Sequence, residues 1–155
     1  DPDEGEILID GKNLKEHNLE LYRKFIGYIP QESYLFSDTI ENNIGFAVDH
    51  PTPELIEKFA KIADIHNDVM LFKDKYQTVV GERGVMLSGG QKQRICIARA
   101  LIKQPRIVIF DDCLSALDTK TEQNILTNIE KEVANCTAII ITHRETVTSS
   151  QKINL

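Results

Sequence analysis

Two adjacent carboxylates at the end of an apolar run are the first residues whose types and spacing suggest chemistry. Asp111 and Asp112 directly follow Ile107–Phe110, a continuous apolar segment of the kind that forms strands buried in parallel sheets. The carboxyl ends of such strands are where doubly wound folds bind ligands. Carboxylate oxygens there suit Mg²⁺, which prefers hard oxygen ligands and keeps much of its water shell. On the pair alone, a turn without any ligand is the commoner explanation.

A pair of glycines at a predicted helix start is the second such feature. Ser88 can cap the helix that follows, and Gln91 has the spacing that completes a capping box. Gly89 and Gly90 leave backbone N–H groups bare at a helix N-terminus, where partial positive charge collects. Such a helix end can bind an anion. On local physics alone, a glycine-rich helix cap without a ligand explains the residues equally well.

Three further polar residues follow or precede predicted elements. Gln31 comes just after Phe25–Ile29, which has the pattern of a strand, and His143 comes just after the apolar run Ala138–Ile141. Asp118 precedes a predicted helix. Taken singly, polar residues in such places are usually surface groups or helix lead-ins. Their functional interpretation therefore depends on the series of motifs in which they stand.

The elements that must position these residues alternate between strand and helix. The predicted strands are Glu6–Ile9, Phe25–Ile29, Ile107–Phe110 and Ala138–Ile141, and Lys152–Leu155 is expected to begin another. The predicted helices are Leu19–Lys24, a helix from Pro53, Asp68–Phe72, about Gly90–Lys103, and one that Thr119 opens with capping-box spacing to Glu122. This alternation indicates an α/β fold with a parallel sheet, into which a helical stretch at about 53–103 is inserted.

Composition and charge exclude several classes of protein. The chain has 155 residues, 41% of them hydrophobic, which is enough for one core. Its net charge of -6 argues against nucleic acid as a partner, and Lys92, Arg94 and Arg99 are predicted to form the solvated face of one helix. No apolar run approaches the roughly 20 residues of a membrane helix. The 3 cysteines are scattered, which favours a reducing, cytosolic compartment.

The motifs, in their order, resemble those of ABC transporter ATP-binding domains. Leu-Ser-Gly-Gly-Gln at 87–91, followed by Gln-Arg and an Ala-Arg-Ala-Leu run, closely resembles the ABC signature. Gln31 is similar to the Q-loop glutamine, Asp111 and Asp112 to Walker B, Ser115–Asp118 to the D-loop, and His143 to the switch histidine. The resemblance implies a P-loop NTPase-like parallel sheet core with an inserted ABC helical subdomain at about 53–103.

The resemblance also implies ATP and Mg²⁺ as cofactors, and a role for each site residue. The metal would be held through water by Asp111 and Gln31, and catalysis would involve Asp112, His143 and Gln31. The residues that would contact ATP held by the opposing domain of a dimer are Ser88, Gly89, Gly90 and Gln91, together with Asp118 of the D-loop, which crosses the interface.

Asp112 departs from the family pattern, in which most members carry glutamate to orient and deprotonate the attacking water. Aspartate withdraws the carboxylate by one methylene, on the order of an ångström, and such a shift can cost about 10²-fold in rate. In this respect the chain resembles the impaired member of two-chain exporters that pair one competent site with one impaired site.

Two segments, Tyr34–Ile40 and Thr78–Gly84, resemble exporter-type domains, in which they meet the cytoplasmic loops of the transmembrane domains. The implied function is an ATP-binding and ATP-hydrolysing subunit that powers an exporter-type ABC transporter at the cytoplasmic face of the cell membrane. Its other implied partner is a second ATP-binding domain, in a homo- or heterodimer. The alternatives are a catalytically impaired, nucleotide-responsive half of a heterodimeric exporter and a non-transport ABC ATPase, against which both segments argue.

A phosphate-binding loop of the form Gly-x-x-x-x-Gly-Lys-Ser/Thr does not occur in the 155 residues. In the family it lies upstream of the segment that resembles Asp1–Ile7. Residues 1–155 are therefore expected to be a partial ABC domain, truncated at the N-terminus, that binds ATP poorly and is inactive alone. The strand that ends before His143 is expected to expose an unpaired edge.

Overall fold

A computed structural model describes residues 4–81, 84–133 and 136–143 of the chain. The strands are β1 (Leu8–Ile9), β2 (Lys12–Asn13), β3 (Ile26–Ile29), β4 (Ile107–Asp111) and β5 (Thr137–Ile141). The helices are α1 (Leu19–Lys24), α2 (Ile40–Gly45), α3 (Pro53–Ile62), α4 (His66–Leu71), α5 (Gly89–Leu101) and α6 (Thr119–Glu132). Short 3₁₀ turns cover Leu14–Glu16, Lys75–Gln77 and Cys113–Ala116. None of the helices in these ranges combines the length and the apolar character that crossing a bilayer demands.

A parallel sheet of three strands, in the order β3-β4-β5, forms the core. One face carries Ile29, Val108 and Phe110, which are completely buried, and α5 packs against β3. The predicted α/β class with a parallel sheet is therefore confirmed. Most residues of the three strands are β-branched or aromatic, and such residues fit a packed sheet surface.

The edge strand β5 differs from the buried strand that its apolar run predicts. Ile139 and Ile141 are 45% and 46% exposed. Within the described residues only β4 pairs with β5, so its other edge is unpaired, as expected of the strand before His143. The possible strand Lys152–Leu155 lies outside the described residues.

The segment between β3 and β4 contains helices in the region predicted to be helical, about 53–103. It begins with a further helix, α2, which the sequence pattern missed. α2 contains two asparagines and a glycine, which are poor helix formers, and tertiary packing of Ile40 and Ile44 compensates because both are completely buried. α3 starts at Pro53, as predicted, with Thr52 accepting a hydrogen bond from the Leu55 N–H. The side chains of α2, α3, α5 and the sheet belong to one hydrophobic cluster, so a separate subdomain at about 53–103 stays a prediction.

The prediction that Arg94 and Arg99 lie on a solvated face of α5 is wrong. Arg94 forms an ion pair with Asp68 at 2.9 Å. Arg99 donates to the Tyr34 carbonyl at 2.9 Å, and to the carbonyl and side-chain oxygen of Asn43 at 2.8 and 2.6 Å. Both guanidinium groups donate hydrogen bonds to oxygens of neighbouring segments. Helical periodicity cannot reveal such partners, because they lie far away in the sequence. The clustered charge is therefore structural.

Asn43 is the centre of this second network and is completely buried. Its amide nitrogen donates to the carbonyls of Phe36 and Thr39 at 3.0 and 2.9 Å, and its oxygen accepts from the Phe36 N–H at 2.9 Å. Because Arg99 bonds the same side chain, Asn43 joins the loop before α2 to α5.

Replacing Asn43 by alanine is expected to lower the free energy of unfolding by about 2–4 kcal/mol, because it leaves buried carbonyls and part of the Arg99 guanidinium unpaired. Asn42 provides a matched control on the same helix: it is exposed and donates one bond to Asp38 at 2.8 Å. Asn42→Ala is expected to cost roughly 0.5 kcal/mol. Urea unfolding measures both variants, and equal losses would contradict the importance of the buried network.

Candidate functional site

The N-terminus of α5 carries the predicted capping box. The Ser88 hydroxyl accepts from the Gln91 N–H at 3.2 Å, and the Gln91 side-chain oxygen accepts from the Ser88 N–H at 3.0 Å. Ser88 and Gly89 are exposed, and a Cβ at Gly89 would meet nothing within 4 Å. The helix end is therefore fixed in shape and open to a ligand, as an anion site requires.

Gln91 also ties the start of α5 to α4. Its amide nitrogen donates to Asp68 at 3.0 Å, and Arg94 bonds the other oxygen of the same carboxylate. Partial burial by itself raises the pKa of Asp68, but the hydrogen bonds from Gln91 and Arg94 and the Arg94 charge outweigh it and lower the pKa. The Gln91 side chain thus has protein partners, so its contact with a nucleotide stays a prediction.

The predicted D-loop lies against this helix start. A Cβ at Gly90 would meet a Leu117 methyl group at 3.5 Å and the Ala116 carbonyl oxygen at 3.7 Å. Both belong to the turn that leads into Asp118. The signature and the D-loop, which are separate in sequence, therefore share one surface.

Asp118, and not Thr119, caps α6, which corrects the predicted capping box from Thr119 to Glu122. The two Asp118 carboxylate oxygens accept from the Thr121 hydroxyl at 2.7 Å and the Thr121 N–H at 3.0 Å. These bonds lower the pKa of Asp118. Sequence spacing alone cannot distinguish two adjacent capping residues, because both precede the same helix.

The two carboxylates at the end of β4 are each held by a residue from the region of β3. The Tyr28 hydroxyl donates to Asp111 at 2.7 Å, and the Gln31 amide donates to Asp112 at 3.2 Å. The bond to the Asp111 carboxylate raises the pKa of Tyr28, since it stabilises the protonated phenol. The structure thus brings Gln31 to the Walker B pair.

The backbone of Asp112 is also fixed. Its φ of 45° and ψ of 20° lie in the left-handed region, which aspartate adopts more readily than most residues. Its N–H donates to the Ile141 carbonyl at 2.9 Å, and its own carbonyl accepts from the Ser115 hydroxyl at 2.7 Å. The carboxylate therefore projects from a backbone that is held by β5 and by the following turn.

His143 lies just beyond the end of β5, at the same edge of the sheet as the carboxylates, and is exposed. Within the described ranges, no hydrogen bond joins His143 to Asp111, Asp112 or Gln31. Its predicted contact with a nucleotide therefore stays a prediction, as do those of the other site residues.

Gln93 is a buried polar residue of α5 that the sequence interpretation did not single out. Its side chain accepts from the Ser33 hydroxyl and donates to the Pro30 carbonyl at 3.5 Å. Burial raises the pKa of the Cys113 thiol to about 12, which a hydrogen bond with Gln93 partly opposes. Gln93 thus ties both flanks of Gln31 to the turn after β4. A glutamine at a position where helical spacing predicts an apolar residue was the available signal.

The end of β4 offers a small set of oxygen donors that suits Mg²⁺. Among the described residues, no group of three or more His, Cys, Asp or Glu side chains could hold a metal ion. The available oxygen donors are the carboxylates of Asp111 and Asp112 and the side-chain carbonyl of Gln31. The amide nitrogen of Gln31 donates to Asp112. Such a small set fits Mg²⁺, which proteins often bind through one or two carboxylates, water and substrate phosphates.

The two segments expected to meet transmembrane domains are hydrogen-bonded to each other. The Ile40 N–H donates to the Thr78 carbonyl and the Val80 N–H to the Asp38 carbonyl, both at 3.0 Å. An aromatic patch is formed by Tyr34 and Phe36 of the first segment together with Phe46. The Phe36 ring contacts both of the other rings. Tyr34 and Phe46 are 68% and 67% exposed. Leu35 belongs to the segment that is expected to contact the transmembrane domains, but it is instead buried in the core.

Comparisons with known proteins agree with the geometry. The family model described as ABC transporter matches residues 1–115. The multidrug resistance-like ATP-binding protein MdlA of Buchnera aphidicola is 51% identical over 141 residues, which are 90% of this chain and 24% of that protein. ABC transporter B family member 24, mitochondrial, of Arabidopsis thaliana is 47% identical over 146 residues, 94% of this chain and 22% of that protein.

A solved structure described as a bacterial Atm1-family ABC exporter with ATP bound superimposes with a TM-score of 0.84 and 44% sequence identity, covering 93% of this chain and 25% of that one. The match confirms the P-loop NTPase-like α/β fold. The chain spans about a quarter of the length of these relatives. With the family model covering residues 1–115 and the motifs in the family's order, the chain belongs to the ABC transporter family.

Proposed function

We propose that this chain is the ATP-binding and ATP-hydrolysing part of an exporter-type ABC transporter. The observation that carries the proposal is the open, capped end of α5 lying against the Asp118 turn, in a chain that also joins Gln31 to Asp112. Its relatives support the class, since they include a multidrug resistance-like ATP-binding protein and an Atm1-family exporter with ATP bound.

The helix end serves a nucleotide held by a second ATP-binding domain, in a homo- or heterodimer. Gly89 and Gly90 present their N–H groups, Ser88 presents its hydroxyl group, and α5 presents its positive end to the γ-phosphate. Asp118 lies beside them and crosses the interface. The exposure of Ser88, Gly89 and Asp118 supports this role, because a surface that completes another chain's site must be accessible.

The end of β4 serves the nucleotide on the same chain. Asp111 and Gln31 would hold Mg²⁺, which would neutralise charge on the phosphate oxygens. Asp112 orients the attacking water and accepts its proton, while Gln31 keeps the Asp112 carboxylate in place at 3.2 Å. His143, at the same edge, senses the γ-phosphate. The proton acceptor and its orienting amide thus come from this chain alone.

The transmembrane domains contact the aromatic patch and the paired segments Tyr34–Ile40 and Thr78–Gly84. This placement puts the chain at the cytoplasmic face of a membrane. Exposed aromatic rings support a protein contact, since aromatic residues are enriched in interface cores. The same patch argues against a non-transport ABC ATPase, which has no transmembrane domain to contact.

A catalytically impaired half of a heterodimeric exporter is the second candidate function, because Asp112 has a shorter side chain than glutamate and is fixed in a left-handed backbone. In that case the chain would still present α5 to the competent site of its partner.

Gly89→Asp is expected to lower ATP hydrolysis by the assembled transporter by at least about 10²-fold, since the new carboxylate would repel the phosphate at the end of α5. The fold should not suffer, because a Cβ at Gly89 meets nothing within 4 Å and an acidic residue favours a helix N-terminus. Gly89→Ala is the neutral control, with hydrolysis close to wild type. Steady-state hydrolysis and thermal unfolding measure the effect, and wild-type hydrolysis by Gly89→Asp would contradict the proposal.

Asp112→Glu separates the two candidate functions. If the chain is the impaired half of a heterodimer, glutamate should restore the reach of the carboxylate and raise turnover at the site that contains residue 112 by roughly 10-fold to 10²-fold. This turnover is measured in an assembled transporter whose competent partner site has been inactivated. Asp112→Asn, which removes the proton acceptor, serves as the lower limit. Turnover that is high in the wild type and lost in Asp112→Asn, with no gain in Asp112→Glu, would instead show that Asp112 is a competent base.

A further inference from the structure

Tyr28 lies at the carboxylate pair but has no part in the function proposed so far. Its hydroxyl donates to one Asp111 oxygen at 2.7 Å. We propose that Tyr28 is a positioning residue, which fixes the Asp111 carboxylate so that its remaining lone pairs face the Mg²⁺ of the nucleotide. The inference rests on the proposed function, and it adds a residue that determines metal affinity.

The sheet register explains how this bond arises. Tyr28 of β3 is paired with Ile109 of β4, and Asp111 lies two positions further along β4, on the same face. Diagonal neighbours of this kind are about 7–8 Å apart, which only long side chains span. A phenol placed at residue 28 reaches the carboxylate, whereas an aliphatic residue there could not hydrogen-bond it.

Asp111 needs such a partner because the terminal torsion of aspartate is broad. Within the described residues, the Tyr28 hydroxyl is the one group that hydrogen-bonds the Asp111 side chain. The neighbouring carboxylate shows the same arrangement, since Gln31 holds Asp112. Each carboxylate therefore has its own donor, one on β3 and one just beyond it.

The ring of Tyr28 contributes little to the core, since the residue is 54% exposed. Tyr28→Phe therefore keeps the ring and removes only the hydroxyl, so a loss of function could not be attributed to a loss of folding. Tyr76 offers a matched control, because its hydroxyl makes one bond to His66 at 2.8 Å, away from the carboxylates. Tyr76→Phe removes the same group and one hydrogen bond elsewhere in the chain.

The test compares wild type, Tyr28→Phe and Tyr76→Phe in the assembled transporter. The first readout is the Mg²⁺ concentration that gives half-maximal ATP hydrolysis, and the second is Mn²⁺ affinity with a non-hydrolysable ATP analogue, measured by electron paramagnetic resonance. We expect Tyr28→Phe to raise the half-maximal Mg²⁺ concentration and to weaken Mn²⁺ affinity, each by about 10-fold to 10²-fold, the usual cost of losing an outer-shell hydrogen bond to a metal ligand. The maximal rate and the thermal unfolding temperature should change little, and Tyr76→Phe should leave both metal readouts unchanged.

Three outcomes would overturn the inference. Unchanged Mn²⁺ affinity in Tyr28→Phe would show that Asp111 does not need the phenol. A fall in the maximal rate alone would place Tyr28 in another role. If the wild-type transporter neither hydrolyses ATP nor binds Mn²⁺ with the analogue, the proposed function fails, and the inference fails with it.

Discussion

The parallel pairing of β3 with β4 is the constraint on which the candidate site depends. This register sets Tyr28 diagonally across from Asp111 and brings Gln31 to Asp112, so both carboxylates at the end of β4 are held from the region of β3. The last carbonyl of β5 accepts a further bond from the Asp112 N–H. A shift of one residue would turn Tyr28 to the opposite face and remove its bond to Asp111. Any change that disturbs the pairing of β3 with β4 therefore also disturbs the geometry of the site.

α5 packs against the sheet and reaches two surfaces, the helix end at Ser88 and the aromatic patch. Its capped N-terminus is open for a ligand, its buried Gln93 is bonded to the loop that carries Gln31, and Arg99 near its end bonds Asn43 and the loop of the aromatic patch. A single helix of 13 residues thus contacts the turn before Asp118, the loop that carries Gln31 and the loop of the aromatic patch. The bonds from Gln93 to the Pro30 carbonyl and from Arg99 to the Asn43 side chain are partly buried, so α5 connects the loop that carries Gln31 with α2.

The elements and motifs were largely predictable from sequence, whereas the contacts between them were not. Ile107–Phe110 was predictable as a strand because its apolar run is continuous, and the bond pair of Ser88 and Gln91 because a capping box is a local pattern. The bond from Tyr28 to Asp111 requires the register of two strands far apart in the chain, which no local pattern contains. The partners of Arg99 and the exposure of β5 depend likewise on which segments pack together. α2 was missed because burial, and not propensity, stabilises it.

The proposed function depends most on one contact, between the end of α5 and the γ-phosphate of a nucleotide bound by the opposite ATP-binding domain. An ATP analogue with a thiol-reactive group on its γ-phosphate tests this contact most directly, with cysteine introduced as Ser88→Cys at the exposed helix end. Mass spectrometry would measure labelling at residue 88 in the assembled transporter and in the separated ATP-binding domain. We expect labelling in the assembled transporter, protection by excess ATP, and little labelling in the separated domain. Equal labelling in both forms, or none in the assembled transporter, would contradict the proposed contact.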